Sequence, residues 1–100
     1  MLHTVNKSPF ERANLDSCLR LARKGSAILL YEDGVYAAAR HTTAAAKIEE
    51  AVKNVSVYVL GPDLAARAID EDNVIDGVKV VDYGGFVDLV VEYGPVQAWL

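Results

Sequence analysis

The stretch SAILLYEDG, residues 26 to 34, decides the fold. Ala27 to Tyr31 is an almost wholly apolar run that stops at the acidic turn Glu32-Asp33-Gly34. A strand with one wet face alternates apolar and polar residues, whereas an unbroken apolar run of this length is expected of a strand covered on both faces, as in a parallel sheet. A second such run, VSVYVL at Val55 to Leu60, ends at Gly61-Pro62-Asp63, which begins a short helix reaching Ile69. Leu2 to Val5 and Val78 to Val81 are two further short strands.

Helical signals fill the gaps. Ser8, Pro9 and Glu11 form a capping pattern: the hydroxyl accepts from an amide three residues on, the carboxylate reaches back, and proline takes the first helical position. It predicts a helix running to Lys24 and closed by Gly25. Asp33 is placed to cap a short helix through GVYAAA, and another helix is expected from Thr43 to Lys53. The acidic DEDN, residues 70 to 73, reads as a solvated loop, and VIDGVKVV has too short a first arm to be preferred as a hairpin.

GGFVDLVVEYG, residues 84 to 94, has the β-branched content of a strand but the spacing of a helix, with Phe86, Leu89, Val90 and Tyr93 on one stripe and Asp88 and Glu92 on another. Val87 and Val91 add a second apolar stripe, so this helix is expected to be covered on two sides, by its own sheet and by another subunit. The closing VQAWL reads as an edge strand or docking tail, with Trp99 near its tip. Strands alternating with helices define a single α/β domain over residues 1–100, with a mainly parallel sheet of four to five strands and helices on both faces.

Composition narrows the function. Apolar residues make up 52% of the chain, a surplus for so small a core and one that commonly goes into subunit contacts. A net charge of −4 argues against a dedicated nucleic-acid binder. No apolar run approaches the ~18–20 residues of a membrane span, and the N-terminus lacks the layout of a secretory signal, so the expected location is the cytoplasm. A single cysteine fits a reducing compartment.

In a parallel sheet the functional loops lie at the carboxyl ends of the strands. Here they contain Asn6-Lys7-Ser8, Glu32-Asp33-Gly34, Gly61-Pro62-Asp63 and Asp82-Tyr83-Gly84. No glycine-rich phosphate fingerprint follows a strand, and no cofactor is expected. Lys7 and Ser8 could hold an anion at a helix start, although a capping role for Ser8 is the simpler reading. Glu32, Asp33, Asp63 and Asp82 could approach one another, but helix capping and solubility account for them, and no metal site is expected. His3 lies in the first strand as a packed, hydrogen-bonded residue and His41 in a polar loop, without a second ligand at a metal-binding spacing. Arg12, Arg20, Arg23 and Lys24 read as the solvated side of the first helix.

Cys18 shares a stripe with Leu15, Leu19 and Ala22, mid-helix and beyond the helix N-terminus that activates many thiols. Glu11 and Asn14 lie on the same side, which leaves two readings open: an inert buried thiol, or a reactive one reached through a polar end of the stripe.

Several segments together resemble the DsrH/TusB family of sulfur-relay proteins: LHTVNKSPFE, the cysteine of the first helix, EDGVYAA, YVLGPDLAAR, VVDYGGFVDL and VQAWL. The resemblance implies a DsrE/F/H-like domain in a heterohexamer with DsrE/TusD-like and DsrF/TusC-like subunits. Such a complex passes persulfide sulfur from a TusA-like or rhodanese-like donor to a DsrC/TusE-like acceptor. The resemblance places the indispensable sulfur carrier on the DsrE/TusD-like partner. Cys18 matches the cysteine of the DsrH branch and so points to dissimilatory sulfur oxidation, with Cys18 as an accessory sulfur acceptor or a packing residue. Supply of sulfur for tRNA wobble-uridine thiolation, and a self-sufficient Cys18 sulfurtransferase, are the alternatives. The expected interface residues are Phe86, Val87, Val90, Val91 and Trp99.

Overall fold

In a computed structural model describing residues 1–100, the chain runs β1 (Leu2–Val5), α1 (Asn14–Leu21), β2 (Ala27–Leu30), a 3-10 helix (Glu32–Ala38), α2 (Ala45–Ala51), β3 (Ser56–Leu60) and α3 (Gly61–Ala66). It continues through a 3-10 turn (Glu71–Asn73), β4 (Lys79–Val81), α4 (Tyr83–Tyr93) and β5 (Val96–Trp99). The five strands form one sheet in the order β4-β3-β2-β1-β5, and every neighbouring pair is parallel.

That order dictates the layers. Parallel strands are joined by right-handed crossovers, so a chain stepping β1, β2, β3, β4 in one direction lays its connections on one face. The step from β4 back across the sheet to β5 reverses direction and puts α4 on the opposite face. Side-chain alternation follows. Val5, Ile28, Leu30, Val57 and Val59 enter a large core under α1, α2 and α3, while Leu2, Ala27 and Leu29 enter a small one under Leu89 of α4.

The first helix departs from the expected boundaries. It starts at Asn14, not Pro9, and ends at Leu21, with Ala22 already extended. Ser8 is buried, and its hydroxyl accepts from the Phe10 amide two residues on, so the capping pattern closes an isolated turn in place of a helix. Glu11 and Arg12 amides both donate to the Ser8 carbonyl before the chain straightens. Gly25 does take a positive φ of 89°, but in the turn after the helix. Arg12, Arg23 and Lys24 therefore lie outside α1 and do not form a single helical face with Arg20.

Asp33 likewise does not cap the helix expected after it, because the segment Glu32–Ala38 is a 3-10 helix with no side-chain cap. This segment closes tightly on β1: the Gly34 amide donates to the Asn6 and Tyr31 carbonyls, and a Cβ at Gly34 would collide with the Val5 carbonyl oxygen. At the start of α4 the Asp82 carboxylate accepts from the Gly85 amide at 2.7 Å. No helix is long and apolar enough to cross a membrane.

Candidate functional site

Cys18 projects from α1 into the large core beside Leu15 and has no accessible surface. Burial pushes its thiol up to about 12, so at neutral pH the group is a protonated thiol and not the thiolate that attacks sulfur. Asn14, which could have opened the stripe, is instead engaged: its amide donates to the Trp99 carbonyl at 3.3 Å and ties the start of α1 to β5.

The five expected interface residues fall in three places. Val87, Val90 and Val91 are exposed on the outer side of α4, at 62%, 38% and 80%, next to an exposed Tyr83. Phe86 turns inward, its ring 6.5 Å from that of Tyr31, and packs with the small core. Trp99 sits on the other face of the sheet, against the large core, and its indole N–H donates to His3 Nδ1 at 3.1 Å. The parallel pairing of β1 with β5 sets His3 opposite Gln97 and Val5 opposite Trp99, which brings together residues from the two ends of the chain. That pairing has no local signature in the sequence.

The carboxyl-edge loops hold one another. Asp63 accepts from the Glu32 amide at 2.6 Å, which supports Glu32 in its left-handed backbone conformation. Arg67 forms an ion pair with Asp33 at 2.8 Å, while Asp82 is occupied in capping α4. No group of three or more His, Cys, Asp or Glu side chains is arranged to hold a metal ion. His3 is buried and hydrogen-bonded in β1, and His41 lies exposed in a turn with φ 64°. Ser26, which the sequence reading passed over, is buried at the foot of β2 and lines a cavity with His3 and Trp99.

A five-stranded parallel sheet with three helices on one face and a single, outwardly apolar helix on the other defines a small α/β domain of the DsrE/F/H-like class. Residues 7–96 match the family model described as DsrH like protein, and the chain belongs to that family. It is 38% identical over 99 residues to Protein TusB of Pectobacterium parmentieri, covering 99% of this chain and 100% of that protein. It is 34% identical over 101 residues to Protein TusB of Escherichia coli (strain K12 / DH10B), with coverage of 99% and 100%. Among solved structures, the ychN protein of E. coli superposes with a TM-score of 0.80 at 20% identity, over 97% of each chain.

Proposed function

We propose that this chain is a subunit of a cytoplasmic sulfur-relay complex of the TusBCD type. In this reading it assembles with TusC/DsrF-like and TusD/DsrE-like partners into a heterohexamer, and the complex hands persulfide sulfur to a TusE/DsrC-like acceptor for tRNA wobble-uridine thiolation. The full-length relatives named TusB favour this branch over the dissimilatory sulfur oxidation to which Cys18 points. The observation that carries the subunit role is the pairing of a sealed thiol with an exposed apolar ridge at Val87, Val90 and Val91. A chain whose one thiol is out of reach contributes by assembly, and an apolar ridge of this kind suits a protein partner. Cys18 in this reading fills the core, and the ridge is the docking surface.

The test is co-expression with TusC- and TusD-like partners, followed by mass measurement on a sizing column. The wild type is expected to co-elute with both, and the Val87→Glu/Val91→Glu variant is expected to fold yet elute alone. A wild-type chain that remains monomeric overturns the reading. Intact mass after exposure to a persulfide donor is expected to show added sulfur on the TusD-like subunit, and a reducible adduct on Cys18 within the complex overturns the packing role.

A further inference from the structure

On the α1 side of the edge strand β5 lies a cavity of about 450 Å3, lined by His3, Leu21, Arg23, Ser26, Gln97 and Trp99 among others. It is far from the outer ridge of α4 and forms no part of the reading above. Two of its polar residues are more than nine-tenths buried, His3 at 4% and Ser26 at 8% exposure. His3 Nδ1 accepts the Trp99 indole N–H, and an accepting ring nitrogen carries no proton. Burial holds the His3 pKa below its usual value, so the ring is neutral at neutral pH and its proton sits on Nε2.

His3 Nε2 and the Ser26 hydroxyl make no hydrogen bond within the protein, yet neither is sealed away, since Asn6 Oδ1 is the only enclosed side-chain polar atom without a partner. Both therefore keep some accessible surface, and both residues line the cavity. Arg23 at the rim has no ion pair, and no acidic side chain lines the space although the chain as a whole is acidic. Leu21 and the Trp99 ring supply apolar walls.

We propose that this cavity binds a small organic monocarboxylate with a ring-sized apolar body. The carboxylate spans the Arg23 guanidinium and the donors His3 Nε2–H and Ser26 Oγ–H, and the body lies against Trp99 and Leu21. Arg23 and the N-terminal ammonium of Met1, which also lines the space, make it cationic beside neutral donors and apolar walls; that combination suits a carboxylate carried on an apolar body, and charge-assisted bonds to a carboxylate are the strong kind. The volume lies within the range of small-molecule sites, roughly 300–1,000 Å3.

Trp99 is the only tryptophan, so its emission reports on the site directly. The full chain is titrated with phenylacetate, with its neutral isostere phenylacetamide and with inorganic phosphate, and saturation is confirmed by calorimetry. Phenylacetate is expected to give a saturable change in the millimolar range. Phenylacetamide and phosphate are expected to bind at least tenfold more weakly. Arg23→Gln, an exposed position that leaves the fold intact, is expected to weaken phenylacetate at least tenfold. Absence of saturable phenylacetate binding, equal binding of the amide or of phosphate, or an unchanged affinity in Arg23→Gln overturns the proposal.

Discussion

Replacing Cys18 by serine and by alanine separates a packing role from a chemical one. Cys18 has no accessible surface, and nothing in its apolar surroundings accepts or donates a side-chain hydrogen bond to it. Alanine removes one heavy atom from the core and costs about 1 kcal/mol. Serine loses apolar burial and in addition encloses a hydroxyl, at about 1–3 kcal/mol, with the lower end reached if the hydroxyl bonds back to the Asn14 carbonyl one turn earlier. A midpoint of about 2 kcal/mol corresponds to a fall in Tm of roughly 8–16 °C for a domain of this size. Urea unfolding followed by Trp99 emission and by circular dichroism measures both variants. A serine variant as stable as the wild type refutes the reasoning, as does labelling of the native thiol by a disulfide reagent much faster than global unfolding.

The same thiol makes a pH prediction whose sign is fixed by linkage. Burial raises the folded pKa to about 12 from 9.0, so above pH 9 the unfolded chain loses its thiol proton while the folded chain keeps it. Unfolding is then favoured as pH rises, and the stability that Cys18 contributes declines through that window. The advantage of wild type over Cys18→Ala is expected to narrow between pH 8 and about pH 10.5, because only the wild type has this thiol to ionise. A constant difference across that range shows that the thiol is not protected.

Three further perturbations probe the contacts that hold the sheet edges. His3 has a pKa lowered from 6.5, chiefly by burial, so the unfolded chain binds a proton more readily below that pH and stability falls as the solution is acidified; urea midpoints from pH 7 to 5 are expected to fall less for His3→Gln than for the wild type. Gly34→Ala places a Cβ against the Val5 carbonyl, where backbone and not a flexible side chain must yield, and is expected to cost at least about 2 kcal/mol by urea unfolding. Arg67→Met removes the ion pair to the half-exposed Asp33 and a bond to the Asp63 carbonyl, and is expected to cost about 1 kcal/mol and speed hydrogen exchange at Glu32.

The strands were legible because a parallel sheet covered on both faces leaves an uninterrupted apolar run, and Ala27 to Leu30 is buried throughout. The last helix was legible because 3.6-residue spacing outweighs β-branched content once Leu89 and Phe86 have a sheet to pack against. The first helix was misplaced at its start because Ser8 can satisfy amides in more than one way. Its burial at the end of β1 selected the bond to Phe10, two residues on, and delayed the helix by a turn and a half. Phe86 and Trp99 carry the same apolar character as Val87 and Val91, and only the register of β5 on β1 and the rotation of α4 tell inward from outward. Those are long-range facts: residues 3 and 99 meet across nearly the whole chain.

The crossover rule also accounts for where the apolar surplus ends up. Five strands about 4.8 Å apart span roughly 20 Å, while one helix with its side chains covers about 10 Å. Three connections share the face carrying the large core, whereas α4 alone crosses the other, from β4 to β5. No rearrangement of side chains lets a single helix cover that width, so the flank keeps Val96 47% exposed on β5 while Val87 and Val91 stand outward on the helix itself. A fold that reverses direction once, for its last strand, therefore leaves one apolar side incomplete, and it is this side that the proposed assembly with TusC- and TusD-like partners assigns to a subunit contact.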